Sequence, residues 1–155
     1  MESLIPSWAP NIHPLLVHFP IAVMITATLA DGASLVWTKE WLKKMVVALF
    51  SFGVIMLLIT YLSGKQAIDL VDVPLKAELT ASHHADWALR TLLFYGGYLI
   101  VRIFVYFSRF KHKRWIAIAL FLIGLAGVGS IAKTADFGGK LVYHYQVGTR
   151  QNDLK

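Results

Sequence analysis

The residues best equipped for chemistry in this 155-residue chain are its six histidines. Two fall within Asn11-Ile12-His13-Pro14-Leu15-Leu16-Val17-His18-Phe19-Pro20, at the mouth of an apolar run that continues to Trp37. His83 and His84 stand side by side before another such run, His144 follows the last one, and His112 lies in a basic stretch. A neutral imidazole can ligate a metal or a haem iron through one ring nitrogen while the other donates a hydrogen bond. There is no cysteine, which excludes disulfides, thiolate metal sites, a cysteine nucleophile and covalent c-type haem attachment. Met24, Met45 and Met56 are scattered, without the clustering that a copper(I) site needs.

Something must position these side chains, and composition says what. The hydrophobic fraction is 57% and charged residues only 15%, whereas a soluble domain carries about 25% charge. The charges fall between four apolar runs, which is the pattern of a polytopic membrane protein. The expected architecture is all-α, a single domain over 1–155 forming an antiparallel bundle of four transmembrane helices. The spans run over about 15–37, 45–63, 85–107 and 115–131, each long enough or nearly so to cross roughly 30 Å of hydrocarbon. Met1 to Pro10 does not read as a cleavable signal peptide, since Glu2 stands where a basic n-region belongs. Ser7-Trp8-Ala9-Pro10 reads as interfacial. Pro14 suits a first helical turn, and Pro20 should free the Leu16 carbonyl and bend the helix beside His18. Lys65 to Ala81 is expected to hold a short surface-lying helix interrupted near Pro74, and Gly138-Gly139 to break the chain after the fourth span.

The formal charge of +6 reads as a topology signal, not as a nucleic-acid surface. Lys39, Lys43 and Lys44 lie between spans one and two, and Arg109, Lys111, Lys113 and Arg114 between three and four. Basic loops face the cytoplasm, so both termini are expected outside, in the periplasm if this is a bacterial inner membrane. His13, His18, His83, His84 and His144 then share the outer side. His18 sits roughly 12 Å and His84 roughly 18 Å above the mid-plane at 1.5 Å per residue. His144 reaches that level only if the chain bends at Gly138-Gly139. His83 and His84 are roughly 100° apart on a helix, so one of them faces the bundle and the other does not. His13 and His83 read as wet helix ends, whereas His18 lies inside the apolar run, where a polar group usually faces inward. Asp31 in span one and Arg102 in span three, both in the inner half, read as a mutual ion pair. Arg90, towards the outer end of span three, either snorkels to the interface or meets a cofactor carboxylate.

The segment Asn11 to Ala22, NIHPLLVHFPIA, resembles the opening of the membrane proteins catalogued as domain of unknown function 2231. Asp31, Gly64-x-x-Ala67, the histidine-bearing start of the third span and Gly138-Gly139-x-Leu141-Val142-Tyr143 before Val147-Gly148 extend the resemblance over nearly the whole chain. It implies four spans and, because some relatives carry fused Rieske-type or cytochrome-type domains, redox work at the membrane. The motif histidines it implies are His13, His18 and one of His83 and His84. Relatives place a histidine one position later than His144, where this chain has Tyr145.

Together these readings point to a small membrane cytochrome that holds b-type haem between His18 and His84 and passes electrons at the outer face. Arg90 or Lys140 would pair with the propionates, and a periplasmic cytochrome or iron–sulfur protein would be the redox partner. Such a protein is a carrier more than a stand-alone enzyme. Two rivals stand beside it. One binds or transports a transition metal through the same histidines, with a carboxylate such as Asp86. The other is a cofactor-free subunit docked in a larger respiratory complex or oligomer.

Overall fold

The protein is described by a computed structural model over residues 11–149, in which the side chain of Lys111 is not described. The readings of Met1 to Pro10 lie outside the described residues. Helix α1 (His13–Leu16) is a single turn, followed by α2 (His18–Val36), α3 (Glu40–Ile68), α4 (Leu75–Phe107) and α5 (Arg114–Gly139). A 3-10 turn covers Arg109–His112 and a π-helical turn Lys140–His144. No strand occurs among the described residues, and four helical segments are long and apolar enough to cross a membrane. The expected all-α, four-span bundle is therefore the observed one.

Local chemistry explains the helix ends. The Asn11 side chain accepts the His13 backbone N–H at 3.0 Å and starts the first turn, with Pro14 where a missing N–H is harmless. Pro20 has no N–H for the Leu16 carbonyl, and the helix steps at Val17. That carbonyl instead accepts from the Thr60 hydroxyl of α3 at 3.4 Å. Extended backbone at Trp37 and Lys39 separates α2 from α3. Pro74, also extended, precedes α4, and the Ser108 side chain accepts the Phe110 N–H to cap the 3-10 turn.

Two expected boundaries differ. No separate surface helix occupies Lys65 to Ala81. Lys65–Ile68 continue α3 and Leu75–Ala81 open α4, leaving only 69–74 as connection, and the small Ala67 and Ala77 are buried where these extensions pack. Gly138-Gly139 is not a break either, because α5 runs through both glycines into the π turn. A glycine permits a bend, but here packing of Gly138 against His84 holds the helix in line. The tail turns only beyond Tyr145, where Gln146 and Gly148 take φ of 59° and 71°.

The four spans close into a ring in chain order, α2 against α3, α3 against α4, α4 against α5, and α5 back against α2. Spans one and three are therefore diagonal partners across the bundle axis. The core between them is built from Met24, Ala27, Val46, Phe50, Tyr95, Tyr98, Leu120 and Ile131. Gly127 lets the helices close around Tyr95, since a Cβ there would stand 2.5 Å from the ring carbon Cζ. Along α4 the inward positions are Ala77, His84, Thr91, Tyr95, Tyr98 and Arg102, a spacing of sevens, threes and fours that keeps one face on the axis. Large apolar side chains such as Leu29, Ile55, Leu93, Ile100 and Leu122 cover the outside, as lipid contact requires.

A candidate histidine site at one end of the bundle

Polar groups on the two diagonal spans meet at both ends of the bundle. At the basic end, Asp31 and Arg102 form the expected pair: Arg102 Nη1 donates to Asp31 Oδ2 at 2.6 Å and Nη2 to Oδ1. Both residues are buried, at 2% and 8% exposure. Arg102 Nη1 also donates to the Tyr98 hydroxyl, and the guanidinium lies over the Phe50 ring at 5.2 Å. Arg102 Nε has no hydrogen-bond partner among the described residues. Eighteen residues up α4, about 27 Å at 1.5 Å per residue, lies the second meeting point.

There the structure brings His13 and His84 together. Their ring centroids are 6.4 Å apart and their planes cross at 75°. His84 Nδ1 lies 3.0 Å from the Thr134 carbonyl of α5, and a carbonyl can only accept, so this ring nitrogen carries the proton. His13 Nδ1 lies 2.9 Å from Ser63 Oγ. Ser63 gives its own proton to the Thr60 carbonyl at 2.8 Å, so His13 must donate as well. Both imidazoles are thereby held as Nδ1–H tautomers, with Nε2 left as a lone pair. A ligating histidine typically has this arrangement, its second nitrogen fixed by a protein acceptor.

Glycines make room for both rings. A Cβ on Gly64 would stand 3.0 Å from His13 Cε1, and one on Gly138 would stand 3.0 Å from His84 Cε1. Behind His84, the Thr134 hydroxyl donates to the Ser130 carbonyl, and Thr91 Oγ1 lies 2.5 Å from Ser130 Oγ and 3.1 Å from Thr134 Oγ1. This hydroxyl cluster ties α4 to α5 below the imidazole, so the ring position is backed by rigid helix.

The remaining candidates lie elsewhere. His18, expected opposite His84, is exposed on the outer face of α2. Five residues separate it from His13, about 140° of helix rotation, and only the earlier of the two is turned to the axis. The expected His18–His84 pair is thus replaced by His13–His84. Of the adjacent pair, His84 does face inward, while His83 is exposed with its ring 5.4 Å from Phe137. His144 is exposed against Tyr145, at the end of a helix that does not fold back. Arg90 is exposed and stacks on Trp87 at 5.7 Å, Lys140 is ion-paired to Asp136 at 2.8 Å, and Asp86 is exposed. His112 lies at the opposite, basic end. Sequence reasoning missed Ser63 and Thr134. A small hydroxyl residue beside a glycine or one turn from it, at the end of an apolar run, is the signal both share.

Among the described residues, no group of three or more histidine, cysteine or acidic side chains could hold a metal ion. Among the described residues, two inward-turned imidazoles, His13 and His84, meet at this end of the bundle. No curated protein and no solved structure matches the chain. From residue 9 to residue 151 it matches the sequence pattern of the predicted membrane proteins designated DUF2231, and it belongs to that family.

Proposed function

We propose that this protein is a membrane cytochrome of the b type, in which His13 and His84 hold one haem near the outer face of the bilayer. The observation that carries the reading is the pair of neighbouring imidazoles, each with its Nδ1–H satisfied by the protein and its Nε2 without a hydrogen-bond partner among the described residues. With ring centres 6.4 Å apart, the two imidazoles are close enough that one metal centre could draw on both. A structural zinc ion asks for four protein ligands, and a catalytic one for three. Haem iron brings four nitrogens of its own and takes one or two further ligands from the protein, which His13 and His84 could supply. Held by His13 and His84, a haem iron would supply one-electron transfer.

The residues of the chain do the positioning. Ser63 and the Thr134 carbonyl fix the tautomers, Gly64 and Gly138 admit the rings, and the Thr91–Ser130–Thr134 cluster resists rotation of α4 against α5. The basic loops lie at the other end of the bundle, which on the positive-inside rule favours an outward-facing histidine end, the periplasm in a bacterial inner membrane. A periplasmic cytochrome or iron–sulfur protein is the fitting partner.

The test is the visible spectrum of protein purified after expression with ample haem supply. Split α and β bands on reduction are expected, together with a low-spin ferric form. His13→Ala and His84→Ala should each lose haem or become high-spin, the double change adding little, while His18→Ala and His83→Ala keep the wild-type spectrum. A colourless protein carrying stoichiometric copper or zinc overturns haem in favour of a metal site. A colourless, metal-free protein overturns both.

A further inference from the structure

We propose that the cavity at the basic end of the bundle seats the phosphodiester headgroup of an anionic phospholipid. This inference does not depend on haem binding. The cavity encloses about 330 Å³ between the ends of α2, α3, α4 and α5. Lys43, Lys113, Arg114 and His112 line it, and the buried Asp31–Arg102 pair lies at its inner limit.

Charge decides the class of occupant. Asp31 and Arg102 neutralise one another, and with one further carboxylate, Glu40, against Lys43, Lys113 and Arg114 the lining carries a net charge of +2 before His112 is counted. Among the described residues, Lys43, Lys113 and Arg114 form no ion pair with a carboxylate. Three cations converging on one concavity, with a single acidic side chain to balance them, suit a phosphate ester. Basic pockets between membrane helices are where anionic lipid headgroups are held.

Position decides between a lipid and a soluble phosphate ester. The cavity opens where the helices leave the bilayer, and the same level carries the exposed side chains Val36, Trp37, Phe107 and Trp115. Tryptophans at helix ends mark the headgroup region. A molecule entering between them keeps acyl chains against the apolar sides of the helices while its phosphate reaches Lys113 and Arg114. A soluble phosphate ester gains nothing from those apolar flanks.

The full chain in a neutral detergent, titrated with phosphatidylglycerol or phosphatidylcholine and read by native mass spectrometry, tests this. One phosphatidylglycerol per chain should remain bound at lipid concentrations where phosphatidylcholine does not. The triple change Lys43→Gln, Lys113→Gln, Arg114→Gln should weaken that binding roughly a hundredfold, at about 1 kcal/mol per cation. The triple change Lys65→Gln, Lys76→Gln, Lys133→Gln, on residues away from the cavity, should leave it unchanged. Equal retention of the two lipids by the wild type overturns the proposal, and that comparison stands even if the triple variant does not fold. An equal loss in both triple variants overturns it too, by showing attraction to overall charge. Glycerol 3-phosphate at millimolar concentration should not displace the lipid. Displacement at equal affinity would assign the cavity to a soluble phosphate ester instead.

Discussion

Replacing Asp31 by asparagine removes one charge from the bundle while keeping the shape of the side chain. The consequence depends on Arg102, whose guanidinium is then left 8% exposed with no anion. Breaking a buried pair by removing one partner costs about 3–5 kcal/mol in soluble proteins, and an arginine at mid-membrane about 2.5–3.5 kcal/mol on insertion scales. Arg102 stands five residues before the end of α4, about 7.5 Å along the axis. The cavity that adjoins it can admit water, so the orphaned charge is partly relieved and the expected loss is about 2–3 kcal/mol. Arg102→Leu should cost a similar amount by stranding Asp31. In the double variant no charge remains. The amide oxygen introduced at position 31 can still accept from the Ser34 hydroxyl, which lies 3.4 Å from Asp31 Oδ1. The double should therefore be only about 1–2 kcal/mol less stable than wild type, a coupling of about 3–4 kcal/mol. Equilibrium unfolding in mixed micelles, followed by tryptophan fluorescence for the four proteins, measures it. Additive losses would refute the pairing as an energetic unit, whatever its geometry.

Three further outcomes follow from the same structure. Gly127→Ala drives a methyl to within 2.5 Å of Tyr95 Cζ and 2.7 Å of Phe94 Cε1. It should lower stability by about 1–3 kcal/mol in the same unfolding assay, whereas Gly129→Ala, with open space around it, should not. Gly138→Ala crowds His84 Cε1 at 3.0 Å and, if the protein holds haem as proposed, should perturb its spectrum or midpoint potential while the helical circular dichroism is retained. Cysteines at Thr38 and Lys113 should resist a membrane-impermeant thiol reagent in intact cells, while one at Asp72 reacts. The opposite pattern would put the histidine end inside.

What the sequence determined by itself is what depends on local composition or on an energy too large to escape. Four apolar runs leave the backbone no alternative to helix inside lipid, because every N–H and C=O must find its partner there. Short connections and ring closure then make spans one and three diagonal neighbours. Asp31 and Arg102 were legible as a pair because neither charge is tolerable alone at that depth. The step at Val17 was legible too, since Pro20 cannot bond the Leu16 carbonyl wherever the helix goes.

The tertiary structure decided rotation and reach. Imidazole carries no such penalty for facing the wrong way near an interface, so nothing local sets His13 rather than His18 against His84. Packing sets it, through Ser63 and Gly64 on α3 and Thr134 and Gly138 on α5. Helix ends were equally hidden, because hydropathy reports where lipid stops and says nothing of where the helix stops. α4 begins at Leu75, well before its apolar run, and α5 passes through two glycines. Those extra turns carry His84 and its partners, and the small Ala67, Ala77 and Gly138 let the helices stay in contact beyond the apolar runs.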